Sequence, residues 1–413
     1  MISENIKQDV TLFGLPAETG RWFLIPIGTL ILLCLGTVYS WSIFRKPLES
    51  LLDLSATQSL LPYTAVLFFY SAFVAVAGFY VDRFGTRPIA ITGGLLVGVG
   101  YFLSSFATDT LTLTLTYGVM AGTGVGTTYG IPMVVSARWF PDRKGLAVGL
   151  TIVGFGLSPL VTAPVARFLI ETFDVRQALL ILGIIFAVAI SGLSIFLKLP
   201  PRGWQPQGWT PPTIDRANQM RPPMLKSRSF YGLWLCYAIG TLVGLSAIGI
   251  SSPVAEEIVE LDSTLAAVSV SLFAIFNGLS RPLFGWLTDR FAPRRIAIAS
   301  YVLILIASIL MLNVGEGQVG LYLVAFCMFW LCLGGWLAIA PTATLNLFQP
   351  ENYARNYGIV FTAYGVGALL GTLVAGQIRD IFGSYTYAFY PMGFFAIVGI
   401  FIATFLLKEG RSA

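Results

Sequence analysis

The stretch Gly78-Phe79-Tyr80-Val81-Asp82-Arg83-Phe84-Gly85-Thr86-Arg87 has a counterpart in Gly285-Trp286-Leu287-Thr288-Asp289-Arg290-Phe291-Ala292-Pro293-Arg294-Arg295. Glycine, an aspartate-arginine pair and a further arginine fall at one spacing, position 285 standing 207 residues after position 78. The first copy ends the second long apolar run of the chain, and the second copy ends the eighth. A glycine there allows two helices to approach closely, and an aspartate beside arginines can cap a helix and pair with them. Ordinary basic loop ends would not reproduce the order glycine, aspartate, arginine twice. The chain therefore reads as two related halves.

Outward from these copies, apolar runs repeat. Crossing a bilayer takes about 20 apolar residues. Twelve runs meet that length: 22–42, 60–81, 88–107, 110–137, 145–170, 177–198, 230–252, 264–288, 296–313, 319–347, 357–379 and 385–407. Of the 413 residues, 56% are hydrophobic and 11% charged, where a soluble domain carries about 25% charge. The expectation is an all-α membrane protein of twelve transmembrane helices in two pseudo-symmetric six-helix bundles. The bundles cover residues 1–198 and 230–413, joined by a polar, proline-rich linker at 199–229. Met1 to Gly20 holds Glu4, Lys7, Asp9 and Glu18 and lacks the apolar core of a cleaved signal.

Orientation follows from the basic residues. With the amino terminus inside, Lys7, Arg21, Arg83, Arg87, Arg138, Arg143, Lys144, Lys198, Arg202, Arg216, Arg221, Lys226, Arg228, Arg290, Arg294, Arg295, Arg355, Lys408 and Arg411 lie inside. Arg45, Lys46, Arg167, Arg176 and Arg379 lie outside, and Arg281 falls within the membrane. Both termini and the linker are expected in the cytoplasm. The net charge of +5 comes without a basic face interleaved with aromatics, so no nucleic-acid partner is expected. With no histidine and all four cysteines inside apolar runs, neither a metal site nor a cofactor is expected. No nucleophile-base pair or nucleotide loop points to an enzyme.

The repeated stretch resembles the loop signature of the major facilitator superfamily. That resemblance implies two six-helix halves around a central solute site. A narrower one is to the monocarboxylate transporter family, including bacterial members and oxalate:formate antiporters. It rests on Tyr39-Ser40-Trp41, on Gly124-Val125-Gly126-Thr127-Thr128-Tyr129-Gly130 through Arg138-Trp139-Phe140-Pro141, and on Phe276-Asn277-Gly278-Leu279-Ser280-Arg281-Pro282. Ala354-Arg355-Asn356-Tyr357-Gly358 and the linker's Gly203-Trp204-Gln205-Pro206-Gln207-Gly208-Trp209 add to it. Glu18-Thr19-Gly20-Arg21-Trp22 matches the family's entry to the first helix only in part.

Arg281 is the sharpest clue. An arginine deep in a spanning helix costs about 2.5–3.5 kcal/mol on insertion scales, so it normally faces a wet cavity and a partner. No acid falls in the middle of any run. A substrate carboxylate would supply the missing charge through two parallel hydrogen bonds. Asn277 lies four residues earlier, on the same helix face. The mammalian-type relatives carry at that position an aspartate implicated in proton coupling. The resemblance puts Tyr39 and Tyr129 at the cavity wall and Tyr364 where oxalate antiporters hold a second cation. One cation suits a monoanion. Phe155, Cys332 and Leu333 are weaker pocket candidates, for which packing is the preferred reading. Glu256, Glu257, Glu260 and Asp262, at the outer end of the seventh run, are the nearest titratable acids, with Glu256 and Glu257 the candidates for proton coupling. Alternatively, the substrate carries the proton itself.

The expected function is therefore secondary transport of small monocarboxylates of the lactate or pyruvate type by proton symport. The chain would act as a monomer in a bacterial cytoplasmic membrane. The alternative is carboxylate exchange of the oxalate:formate kind. A transporter-like sensor is a further possibility, but the 199–229 linker is too short for a recognisable signalling domain.

Overall fold

The computed structural model describes residues 10–201, 203–209, 224–348 and 353–407. Lys7, Arg202, Arg216, Arg221, Lys408 and Arg411 lie outside the described residues, as do the side chains of Asp82 and Arg355. A two-stranded hairpin, β1 (Thr11–Leu12) and β2 (Leu15–Pro16), precedes the helices. Then come α1 (Ala17–Leu52), α2 (Ala56–Phe84), α3 (Thr86–Ser104), α4 (110–139), α5 (Lys144–Thr172) and α6 (Val175–Ser194). The second set is α7 (Arg228–Glu257), α8 (Ser263–Arg290), α9 (Pro293–Met311), α10 (Val319–Leu347), α11 (Tyr353–Phe382) and α12 (Tyr385–Phe405). Eleven of these are long and apolar enough to cross a membrane. The twelfth, α4, is diluted by threonine and glycine but runs as one helical rod at the expected place.

Several helices outrun their apolar stretches because their ends carry polar residues beyond the hydrocarbon. Glu256 and Glu257, for example, close the last turn of α7. Local sequence sets the helix starts. Ser55 and Gln58 form a reciprocal capping box at α2. Asp109 accepts from the Thr112 amide at α4, a bond that holds its carboxyl below the ordinary range. Two spans depart from α geometry in the middle, α1 through a 3-10 stretch at Gly36–Ser40 and α4 through a π stretch at Thr114–Ala121. Such irregular turns are frequent at functional sites. Side chains such as Phe79, Phe168, Val188 and Phe405 point outward and form the lipid-facing surface.

The two sets of six meet along a seam made by α2 with α11 and by α5 with α8. The end carrying the termini and the linker is called the linker end below, and the opposite end the far end. Small residues let the seam close. A side chain at Gly376 would come within 2.8 Å of Thr57 Cα, and one at Gly365 within 2.9 Å of Ser71. Gly358, nearer the linker end, meets only Ala75 Cβ at 3.9 Å. The pair α5 and α8 behaves alike. Gly156 would press on Gly278 Cα at 2.8 Å. Seven residues further toward the linker end, Gly149 meets nothing within 4 Å and Gly285 meets only Ala338 of α10. Among the described residues, then, the seam is shut at the far end and parts toward the linker end.

Ionic and polar contacts agree. At the far end Lys46 pairs with Glu256 and Glu257, both at 3.6 Å, and Arg379 pairs with Glu257 at 2.7 Å. Asp380 of α11 accepts from Ser55 Oγ and the amides of Ala56 and Thr57, each at 2.9 Å. Arg45 is completely buried there. It donates to the Gly249 carbonyl at 3.2 Å and the Tyr385 hydroxyl at 2.6 Å, across the seam, and to Glu49 at 3.0 Å.

The repeated stretches sit at the linker end. Gly78 meets no described atom within 4 Å, and Asp289 is exposed and caps no helix. Among the described side chains, the close contact expected of Gly78 and the capping expected of Asp289 are not made here, where the seam is open. Gly85 needs its hydrogen side chain at φ +82°, whereas Ala292 caps α9 at φ −57°, so alanine is tolerated in the second copy. Nearby, Arg21 grips Asp142 through two bonds of 2.6 and 3.0 Å and donates to the Trp139 carbonyl. Trp139 also packs on Trp204 of the linker at 4.8 Å.

Candidate functional site

Arg281 lies three residues past the Gly156–Gly278 contact, on the side where α5 and α8 part. It is 4% exposed. Its guanidinium donates through Nη1 to the Ile152 carbonyl of α5 at 3.0 Å and through Nη2 to Asn277 Oδ1 at 3.3 Å. Nε is buried with no hydrogen-bond partner. No carboxylate among the described residues lies within ion-pair distance of Arg281, so neutral groups alone compensate its charge. The unpaired Nε–H and the weakly held Nη2–H share one edge of the guanidinium, the geometry that takes a carboxylate side-on. Leaving such a buried donor unmade costs about 1–3 kcal/mol. The next residue, Pro282, has no amide hydrogen and so frees the Gly278 carbonyl of α8.

Asn277 is fixed by its amide nitrogen, which donates to the Trp330 carbonyl of α10 at 3.0 Å. That bond aims the side-chain oxygen at Arg281. The tight seat of α10 depends on Gly334, which faces the Asn277 carbonyl and Ser280 Oγ.

Aromatic rings from both sets of helices pack around this cation. Phe155 of α5 lies 5.7 Å under the guanidinium. Around Phe155 stand Tyr39 at 5.1 Å, Tyr129 at 5.1 Å and Tyr70 at 5.7 Å. Tyr70 also meets Tyr364 at 5.3 Å and Phe361 at 5.7 Å. Tyr39, carried by the 3-10 stretch of α1, shares a hydrogen bond of 3.0 Å between its hydroxyl and that of Tyr364. Trp330 closes one side, 6.4 Å from Tyr39. The arrangement is a single buried positive charge inside an aromatic wall that carries hydroxyls, suited to an anion with one charged end and a small apolar body.

Five residues singled out from sequence, Arg281, Asn277, Tyr39, Tyr129 and Tyr364, thus share one cluster. Glu256 and Glu257 do not join it. They are held at the far end by Lys46 and Arg379, and Glu256 also accepts from Ser252 at 2.8 Å. Tyr70, Phe155, Phe361 and Trp330 complete the wall. Phe361 could have been found three residues before Tyr364 on one helix face. Nothing in the sequence separates Tyr70 or Trp330 from ordinary core aromatics, whereas Phe155, a weaker pocket candidate for which packing is the preferred reading from sequence, lies under Arg281.

A family model described as Major Facilitator Superfamily matches residues 19–270 and again 233–413. The chain belongs to the major facilitator superfamily. The double match fits the repeat read from the sequence. Among this facilitator's relatives is the oxalate:formate antiporter of Oxalobacter formigenes, 27% identical over 95% of this chain and 93% of that one. Monocarboxylate transporter 12 of Xenopus laevis is 30% identical over 78% of this chain and 74% of its own. An uncharacterised transporter of this type from Escherichia coli, YhjX, is 27% identical over 84% and 86%. In fold, the facilitator is similar to the inward-facing, occupied structure of a bacterial homologue of the human lysosomal transporter Spinster. The TM-score is 0.72 at 15% identity, covering 95% of this chain and 99% of that one. The protein is a multi-pass integral membrane transporter, and its fold and relatives are not those of enzymes.

Proposed function

We propose that this facilitator carries small monocarboxylates of the lactate or pyruvate type, in symport with protons, across a bacterial cytoplasmic membrane. The observation that carries the proposal is Arg281, a buried guanidinium held, among the described residues, by neutral partners alone, with one edge under-bonded. A substrate carboxylate completes that edge and neutralises the charge. Tyr364, hydrogen-bonded to Tyr39, adds no second cation, which favours a monoanion. The excess of basic residues at the linker end supports the orientation, with linker and termini in the cytoplasm. In that frame the parted end of the seam faces the cytoplasm, and the chain works as a monomer whose two bundles, 1–198 and 230–413, alternate around Arg281.

For coupling, Glu256 and Glu257 are the candidates. Both pair with Lys46 across the seam, so protonating them would weaken the far-end closure and link proton entry to outward opening. The second route, in which the substrate brings the proton as its own acid, is favoured by the lack of a buried carboxyl among the described residues near Arg281. Exchange remains the alternative mode, favoured by the similarity to the oxalate:formate antiporter. The test is uptake of labelled lactate, pyruvate and oxalate into proteoliposomes. Symport predicts lactate uptake that rises as outside pH falls and collapses with a protonophore. Uptake indifferent to both, but dependent on an anion inside, overturns symport. Loss of the pH dependence in the Glu256→Gln, Glu257→Gln double variant assigns the coupling to the glutamates, and its retention assigns it to the substrate.

A further inference from the structure

The hairpin before α1 turns on two residues, Phe13 at φ +57° and Gly14 at φ +74°. Two positive φ values in a two-residue loop define the tight turn that asparagine or aspartate followed by glycine fills best. A bulky aromatic residue in that region is a backbone outlier, and an observed outlier of this kind is a legitimate pointer to function. The ring is not hidden. Phe13 is 38% exposed and makes ring contacts with Phe23 at 5.9 Å and Phe196 at 5.7 Å, which are 49% and 44% exposed. Leu15, Ile27 and Leu193 complete a pocket of about 400 Å³ with these rings, between the hairpin and the linker-end termini of α1 and α6.

The pocket's surroundings decide its occupant. Along α1 the exposed strip continues from Phe23 to Leu30, and along α6 from Phe196 back to Val188. These strips are the lipid-facing sides of two spanning helices, so the pocket opens on the bilayer surface. Meanwhile the hairpin is firmly seated. Leu12 packs on Gly20, where any Cβ would come within 2.9 Å of Leu12 Cβ, and the Ala17 amide bonds the Val10 carbonyl at 2.9 Å. Leu12 therefore ties the hairpin to the entry of α1, while Phe13 and Leu15, each more than a third exposed, line the pocket beside Phe23 and Phe196.

We propose that the hairpin is an interfacial anchor. Phe13 and Leu15 enter the bilayer interface at the linker end, and a phospholipid acyl chain occupies the pocket lined by Phe13, Leu15, Phe23, Ile27, Leu193 and Phe196. Aromatic and aliphatic side chains in that zone are stabilised by the apolar area they bury in lipid, which offsets the strained turn. The anchor sets the depth of α1, the helix that carries Tyr39.

The test is spin labelling of the full chain in phosphatidylcholine–phosphatidylglycerol vesicles, with Cys34 and Cys327 changed to alanine. A nitroxide at Phe13→Cys or Leu15→Cys should collide with oxygen several-fold more often, relative to a water-soluble nickel chelate, than one at Gln207→Cys on the exposed linker. Ratios equal to that of Gln207→Cys overturn the anchor. Phe13→Asn supplies the residue the turn prefers while removing the ring. In that background the label at Leu15→Cys should shift toward the nickel-accessible range. An unchanged ratio at Leu15 overturns the role given to Phe13.

Discussion

The hydroxyls of Tyr39 in α1 and Tyr364 in α11 lie 3.0 Å apart, each completely buried, and join the two sets of helices beside Arg281. Tyr364 thereby presents a neutral group where a cation would change the charge of the site. Tyr364→Lys is expected to bring a second positive charge to the Tyr39 hydroxyl. Two cations in a buried site repel and each is poorly solvated. A dianion relieves both, whereas a monoanion leaves one uncompensated. Competition between lactate and oxalate for binding should shift toward oxalate in the variant, most strongly at the pH where the lysine is charged. An unchanged ratio with a protonated lysine would remove Tyr364 from the substrate wall.

Arg281→Gln keeps a polar side chain but deletes the one charge in the cluster. Truncating one member of a buried charge pair costs about 2–5 kcal/mol, and the lower figure is already about thirtyfold in affinity. Lactate binding should fall by at least that factor while the purified protein stays monodisperse. Wild-type binding would sink the assignment.

Gly156→Ala tests the seam. Its new Cβ would stand 2.8 Å from Gly278 Cα and 3.1 Å from Arg281 Nε. The nearest of the atoms it would meet is the backbone of Gly278, so α5 and α8 must separate, at a cost of about 1–3 kcal/mol. A lower melting temperature and weaker lactate binding are expected together. Gly149→Ala, on the same face of α5 but facing open space, should leave the melting temperature in place. Equal effects of the two would contradict the parting of the helices.

Tyr385→Phe removes the hydroxyl that accepts from Arg45 across the far end. A hydrogen bond to a charged group is worth about 1.5–3 kcal/mol, so the closed far end should lose roughly tenfold in relative population. Thr64, buried in the seam and bonded to Thr372, reports on this. The label rate of Thr64→Cys with a membrane-impermeant thiol reagent added from the far side should rise about tenfold. No rise would mean that the Arg45 network does not hold that end.

What the sequence yields without a structure follows from which physical quantities are local. A bilayer demands uninterrupted apolar length, so the spans could be counted, and charge asymmetry orders the loops. Arg281 stood out because its cost depends on depth alone. Arg45 did not, although it is the more deeply buried of the two. It sits near a helix end, where a basic residue ordinarily meets water, and only the packing of Tyr385 and Gly249 around it reveals the seal. The aromatic wall was legible only in part. Phenylalanine and tyrosine are abundant throughout, and what distinguishes Tyr70 or Phe155 is the partner across the seam, which no spacing along the chain encodes. The repeated glycines misled in a different sense. Gly78 suggested close contact, yet the glycines in tight contact here are Gly156, Gly278, Gly365 and Gly376, where the seam is shut.

If the two bundles alternate as proposed, the Gly156–Gly278 contact is their pivot, and its position along the helices sets a mechanical advantage. Gly149 and Gly285 lie seven residues beyond it, a lever of about 10 Å at the helical rise. Moving those ends by about 4 Å, one carbon contact distance, asks for a rotation of only about 20° about the pivot at that helical rise. Arg281, about 4.5 Å from the pivot on the same scale, would shift less than half as far. The charged end of a bound solute would thus move about 2 Å while the doorway moves about 4 Å on the same scale, so access would change hands with the carboxylate still beside Arg281.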